Sequence, residues 1–169
     1  MEAAARGIAP GVLGTALMTA WQELAAKLRA SGDVGSEPRK PSEDPWEEAS
    51  APAKVAKRIG EGVFHKPVSP ALIPLLTNVM HWGYGTGWGA GYELVAARRR
   101  RSPGLAAGVA FGSVVWVMSY VQLVPMGLYD PPWKTPPKEL ALDLSYHLVY
   151  GTGVAGVHRL LNAPPRRSR

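Results

Sequence analysis

Two histidines occupy the same heptapeptide pattern at two places in the chain. His81 begins H-x-x-Y-G-T-G at 81–87, and His147 begins the same pattern at 147–153. Asp143 precedes His147 by four positions, a spacing at which two side chains on a helix meet. Imidazole and carboxylate groups bind and release protons, and two histidines with one carboxylate are also a known ligand set for transition metals. We therefore take these three residues as the candidate chemical site.

Other polar side chains accompany the histidines on the same predicted helices. Thr77 and Asn78 precede His81 by four and three positions, which places them on the same helix face. The tyrosines of the two motifs follow their histidines by three positions, so their hydroxyls either join this polar network or pack as ring side chains: Tyr84 and Tyr150.

Three functions and one structural role fit this polar set. The first function is proton or ion handling, in which Asp143 and His147 exchange protons with His81 opposite. The second is a metal site formed by the same three residues, and the third is haem ligation by the two histidines. The structural alternative is a buried hydrogen-bond network that fixes the register of the helices. The chain contains no cysteine, no C-x-x-C-H haem attachment and no zinc-protease histidine spacing, and we expect neither catalytic residues nor an enzyme activity.

Long uncharged runs indicate the elements that carry this site. Residues 102–129 contain no charged side chain, and 67–97 contain Glu93 as the sole charge when His81 is neutral. About 20 apolar residues are enough to cross a bilayer as a helix. We expect a single all-α membrane domain over 1–169, a four-helix bundle with spans at about 7–26, 69–97, 104–126 and 138–161.

The repeated motif predicts that the bundle arose by duplication of a helical hairpin. Each repeat contains two spans, so two tandem hairpins should be related by a pseudo-twofold axis along the membrane normal. His81 and His147 lie about 15 Å of helix rise from the prolines that begin their spans, which places both near the bilayer midplane. Glu93 and Arg159 occupy equivalent repeat positions, and we expect them to form an ion pair between the halves.

Glycines recur at every fourth position in the predicted spans. Small residues at this spacing let helix backbones approach closely in lipid. We expect helix packing at Gly83, Gly87, Gly91, Gly104, Gly108, Gly112, Gly151 and Gly153.

The remaining segments set the topology. Residues 27–66 form a polar outer loop, irregular where it is rich in proline, with a short amphipathic helix at about 52–64. Val55, Ile59 and Val63 share one face of that helix, which either lies on the membrane surface or packs over the end of the bundle. Four arginines at 98–101 and a basic tail at 166–169 predict that both termini are cytoplasmic. The net charge of +6 does not indicate nucleic-acid binding, because aromatic stacking platforms and a basic groove pattern are missing.

Several short motifs resemble known bacterial membrane proteins. P-M-G-L at 125–128, P-P at 131–132 and H-L-V at 147–149 resemble the carboxy-terminal part of the YagU-type bacterial inner-membrane family. The chain is also similar to short membrane proteins that carry E-D-P-W in a loop and H-W-x-Y-G-T-x-W-G in a span, here at 43–46 and 81–89. This resemblance implies a multi-span protein of the bacterial inner membrane without an established activity, linked in one branch to acid tolerance.

The leading hypothesis is a small membrane protein whose polar midplane site assists proton or ion balance. The alternatives are a structural or accessory subunit of a larger membrane complex, and a subunit that binds haem or a transition metal at His81 and His147. We expect no resident cofactor under the leading hypothesis. The expected partners are the lipid bilayer and, because four glycine-rich spans make a small bundle, further copies of the chain or a larger membrane complex.

Overall fold

The computed structural model describes residues 6–32, 42–96 and 104–162, and each regular element within these ranges is helical. The predicted arginine turn at 98–101, the basic tail at 166–169 and part of the first outer loop, at 33–41, lie outside the described residues. Two single 3₁₀ turns, Pro70–Leu72 and Pro132–Lys134, precede the second and fourth long helices. The helices, in chain order, are α1 (Ile8–Gly32), α2 (Pro45–Glu48), α3 (Ala51–Phe64), α4 (Ile73–Ala96), α5 (Leu105–Leu123) and α6 (Pro137–Leu161).

The four long helices α1, α4, α5 and α6 coincide with the four predicted spans, so the all-helical bundle is confirmed. Helix α1 continues to Gly32, past the predicted end near residue 26, because Lys27, Leu28 and Arg29 favour helix. By length and composition, α5 is the one described helix that is apolar enough to cross a membrane. Glycine, histidine and aromatic residues lower the mean hydropathy of α4 and α6, so the four-span topology stays a prediction.

The outer segment between α1 and α4 is more ordered than the sequence suggested. Asp44 caps α2, because its side chain accepts a hydrogen bond from the Trp46 amide at 2.9 Å. The prediction of an irregular loop is wrong for this helix. Its buried residues form a small core with α3 and with partly buried apolar residues around the start of α4: Trp46, Ala49 and Ala53, packed on Val68, Ile73 and Leu76.

The amphipathic helix α3 is confirmed, and it packs on α4 through Ala53, which is fully buried. The predicted apolar face of the helix does not make this contact with α4. Ile59 and Val63 are 55% and 63% exposed, so this face remains at the surface of the chain. One face of α3 therefore packs on the bundle, and contact of the other face with a membrane stays a prediction. The helix ends at His65, whose left-handed backbone (φ 54°) stops further helical turns.

Helix α1 lies between α4 and α6, and α6 in turn packs on α5. Small residues make these three contacts close. Gly11 lies against the α4 backbone at Thr86 and Gly89, whereas Gly14 contacts the carbonyl of Tyr150 on α6. Four predicted positions are confirmed as packing sites. On the α5 side of α6, Gly108 and Gly112 meet Gly151 and the backbone of His147, whereas Gly153 contacts Leu17 on the α1 side.

Four other predicted packing glycines face open space. A Cβ built at Gly83, Gly87, Gly91 or Gly104 would meet no atom of the described chain within 4 Å. The prediction is therefore wrong for packing within this bundle. The neighbouring stripe of Gly85 and Gly89 faces α1 instead, because a period of four residues identifies a stripe without specifying which stripe points inward.

The bundle departs from the predicted pseudo-twofold arrangement on one side. Such an axis would make the α1–α6 and α4–α5 interfaces equivalent, yet α1 and α6 pack closely whereas the α4 and α5 backbones stay apart. Aromatic side chains bridge the wider side, with ring centroids 6.2 Å apart for Trp88 and Phe111 and 4.9 Å apart for Tyr92 and Phe111. This separation leaves a cavity between the helices.

Candidate functional site

A cavity of about 680 Å³ lies between the long helices. The four long helices form its walls, and α3 contributes residues at its outer end. All seven residues of the predicted polar site line this one cavity: Thr77, Asn78, His81, Tyr84, Asp143, His147 and Tyr150.

Asp143 is held by two residues of α5. The indole nitrogen of Trp116 donates to Asp143 Oδ2 at 2.9 Å, and the Tyr120 hydroxyl donates to the same oxygen at 3.1 Å. His147, the predicted partner, has its Nδ1 atom 3.8 Å from Asp143 Oδ1, beyond hydrogen-bond distance. Trp116 and Tyr120 were not among the predicted site residues, and the structure assigns them to this carboxylate.

His147 is buried and bonds to the backbone. Its Nδ1 atom lies 2.9 Å from the carbonyl oxygen of Asp143. Because a carbonyl oxygen only accepts hydrogen bonds, Nδ1 carries the proton. In the neutral ring the other nitrogen, Nε2, is then a hydrogen-bond acceptor.

His81 has the opposite tautomer. Its Nε2 atom lies 3.0 Å from the Thr19 hydroxyl oxygen on α1, and that hydroxyl donates its proton to the Thr15 carbonyl at 2.9 Å. Thr19 therefore accepts from His81 Nε2–H, which leaves Nδ1 of His81 as the acceptor in the neutral ring. Thr19 was not predicted, although it lies on the first span at a depth similar to the histidines.

Thr77 and Asn78 bond away from His81. The Thr77 and Ser50 hydroxyls are 2.9 Å apart, which links α4 to the start of α3. The Asn78 amide donates to the Pro74 carbonyl at 2.8 Å. Both residues line the cavity, but the predicted hydrogen-bond network around His81 does not include them.

The two motif tyrosines have different environments. The Tyr150 hydroxyl donates to the Gly85 carbonyl at 2.6 Å and its side chain is almost fully buried, so it connects α6 to α4 as a structural residue. Tyr84 is partly exposed and donates weakly to Gln122 Oε1 of α5 at 3.4 Å. Neither hydroxyl bonds to the histidine of its own motif.

Glu93 pairs with His158 instead of the predicted Arg159. The Glu93 carboxylate is 2.6 Å from His158 Nδ1, both residues are 4% exposed, and Arg159 is exposed. One position along α6 turns the side chain by about 100°, so the imidazole rather than the guanidinium faces α4. Asn162 donates to the carbonyl oxygen of His158 at 2.9 Å and completes this second polar cluster.

The outer end of the cavity is closed in part by Tyr129, which follows α5. Its ring contacts the ring of Tyr120, with the centroids 5.3 Å apart. Burial and the nearby Asp143 carboxylate raise the pKa of Tyr129 to about 12. Its hydroxyl therefore stays protonated well above neutral pH.

No family model, curated protein or solved structure matches this chain. The resemblance to the YagU-type family has no support from these comparisons and stays a prediction. The chemistry of the site must therefore be argued from its geometry.

The geometry does not provide the predicted metal site. Among the described residues, no group of three or more histidine, aspartate or glutamate side chains lies close enough together to hold a metal ion. His81, His147 and Asp143 line one cavity without converging on one point. Haem ligation by the two histidines stays a prediction, although each ring already bonds to the chain through one nitrogen.

Three residues of the cavity each keep one hydrogen-bond acceptor atom. His81 Nδ1, His147 Nε2 and Asp143 Oδ1 have no short hydrogen bond assigned above, and all three residues line the cavity. A carboxylate and two neutral imidazoles favour a ligand that donates hydrogen bonds or carries positive charge. Trp116 and Tyr120 were detectable in the sequence as two donors spaced four apart on one face of α5.

Proposed function

We propose that this chain is an integral membrane protein whose four long helices all cross the bilayer. Large apolar side chains are exposed along α1, α4 and α5, as expected when lipid rather than water surrounds them. Polar groups are placed inside the bundle, as in proteins that fold within hydrocarbon. The exposed residues include Ile8, Leu13, Leu17, Leu75, Val79, Leu94, Val109, Val117 and Val121, and the buried polar ones Thr15, Glu93, Ser119, His147 and His158.

The proposed location is the bacterial inner membrane with both termini in the cytoplasm. Arg6, Glu93 and Asn162 line one small cavity, so the start of α1 and the ends of α4 and α6 lie together. The basic residues at 98–101 and 166–169 follow the ends of α4 and α6. Basic clusters next to spans favour the cytoplasmic side.

Two tandem hairpins built by duplication remain part of this proposal. Gly85 and Gly151 hold the same position in the repeated motif, and each faces the first helix of its own hairpin. The shared contact supports a common origin. The different spacing of the α1–α6 and α4–α5 sides then reflects later divergence.

The function that this arrangement supports best is the binding and release of protons or a small cation at the cavity, in support of proton or ion balance. A single observation carries it: Asp143, His147 and His81 line one cavity inside a bundle with an apolar exterior. An intramembrane carboxylate is costly, and its usual use is to pair with a proton or a cation.

Vesicles with the purified protein provide the test. With an imposed pH gradient, wild-type vesicles should dissipate the gradient faster than protein-free vesicles, and Asp143→Asn should remove the difference. Glu139→Gln is the matched control, because Glu139 lies one turn earlier on α6, is exposed and pairs with Arg29 outside the cavity. Equal rates for wild type and Asp143→Asn would remove proton handling from consideration.

A second candidate function is that of an accessory subunit in a larger membrane complex. The exposed stripe of Gly83, Gly87 and Gly91 on α4 favours it, because a small-residue face lets a further helix approach closely in lipid. Gly87→Leu should then reduce self-association or complex formation, measured by sedimentation in detergent, without unfolding the bundle. An unchanged sedimentation profile would count against this candidate.

A further inference from the structure

The side of the bundle between α4 and α5 forms a lateral window into the cavity. Tyr84 and Gln122 face each other across it, joined by a single hydrogen bond of 3.4 Å. Both are exposed, and both also line the cavity. In a bilayer, this places two polar side chains at a position where lipid would otherwise contact an apolar surface.

The interior behind this window is largely apolar. Met18, Met80, Trp88, Val115 and Leu123 line it together with the polar residues described above. Its volume of about 680 Å³ lies within the range of about 300–1,000 Å³ typical of small-molecule sites. A bare inorganic ion would use neither this volume nor the apolar walls, whereas an organic molecule would use both.

The polar end of the cavity specifies the charge of such a molecule. Trp116 and Tyr120 both donate to Asp143 Oδ2, which leaves Oδ1 facing other partners. The acceptor nitrogens of His147 and His81 lie on residues of the same cavity. An ammonium group donates hydrogen bonds and carries a positive charge, which match the carboxylate of Asp143.

We infer that the cavity binds an amphipathic organic cation, a primary amine with an apolar body, which enters from the lipid between α4 and α5. Its ammonium group bonds Asp143, and its body packs on the aromatic and methionine side chains. This inference rests on the proposed function for the membrane location and for the role of Asp143. It adds the chemical class of the ligand and its route of entry.

The test uses the full chain in lipid nanodiscs and dansylcadaverine, a fluorescent primary amine. We expect saturable binding, and we expect Asp143→Asn to weaken it by about 10- to 100-fold, the range of one hydrogen bond to a charged group. Glu139→Gln should bind as wild type does. The N-acetylated probe, which has the same body without the charge, should bind as weakly as the amine binds to Asp143→Asn. Equal affinity for the two probes would overturn the inference.

A second measurement does not depend on the stability of Asp143→Asn. The chain contains no cysteine, so Gln122→Cys introduces a single thiol at the window. Dansylcadaverine should slow alkylation of that thiol by a membrane-permeant maleimide. Val117→Cys, on an exposed part of the same helix, should react at an unchanged rate. Equal effects at the two positions would contradict entry through this window.

The two proposals fail separately. Binding of the amine with no proton flux would remove proton movement and leave the ligand assignment in place. Proton flux with no saturable binding of the amine would overturn the ligand assignment and leave proton handling in place.

Discussion

Glu93 is a buried carboxylate, and it needs a partner that offsets the cost of burying its charge. It is the one carboxylate within 67–97, and its partner His158 is contributed by the other hairpin. A buried charge without a partner costs several kcal/mol, so the position of His158 fixes how α4 and α6 face each other at this end. Tyr92 packs its ring edge-on against the same imidazole, with the centroids 5.7 Å apart, and shields the pair.

Removing one member of this pair should be costly. Glu93→Ala leaves His158 buried without its carboxylate, and we expect a loss of about 3–5 kcal/mol in the free energy of unfolding. Denaturant titration in mixed micelles measures it. Arg159→Ala is the neighbouring control and should change the same quantity by no more than about 0.5 kcal/mol, because Arg159 is exposed. A larger loss for Arg159→Ala than for Glu93→Ala would restore the ion pair expected from the repeat.

At the level of the helices, the sequence predicted the elements better than their facing surfaces. Uncharged runs and prolines located α1, α4, α5 and α6, since these features act locally. The glycine spacing could not predict which face of α4 points to α1, because Gly83 and Gly87 repeat with the same period as Gly85 and Gly89. Which stripe faces α1 depends on contacts made by the whole bundle.

Two glycine substitutions compare a packed glycine of α5 with an exposed glycine of α4. In Gly112→Ala the new Cβ would lie 2.9 Å from the carbonyl carbon of His147, which is backbone and cannot move aside easily. We expect a loss of about 1–3 kcal/mol in the free energy of unfolding. In Gly87→Ala the methyl group meets open space, and the better helix propensity of alanine should stabilise the chain by up to about 1 kcal/mol. Equal changes for the two variants, measured in the same micelles, would contradict the packing described here.

For the molecule as a whole, the sequence predicted which polar residues share the site, but it did not predict the hydrogen bonds that they make. All seven predicted residues share one cavity, because helical spacing and the repeated motif place them at similar depth. Their hydrogen bonds differ from the expected ones because donors from other helices intervene: Thr19 at His81, and Trp116 with Tyr120 at Asp143. Sequence spacing carries no information about donors on a different helix.

Membrane placement of the whole molecule makes a prediction of its own. Val117→Cys on α5 and Trp133→Cys in the turn before α6 sit at side chains that are 49% and 81% exposed. In native membranes a water-soluble maleimide should label Trp133→Cys and leave Val117→Cys unmodified, because lipid covers α5. In denaturant both should react. Comparable labelling of the two positions in intact membranes would argue against a membrane-spanning bundle.

The central position of α1 has a consequence for biosynthesis. This helix leaves the ribosome before the helices on which it packs: α4 and α6, whose surfaces it covers, are made about 40 and 105 residues later. Until α4 and α6 have been made, the glycines of α1 cannot make their packing contacts within the chain. A nascent chain arrested before α6 would hold the first hairpin with one side of α1 uncovered. A deletion of α1 would leave α4 joined to α5 and α6 mainly through side chains, because their backbones make few close contacts.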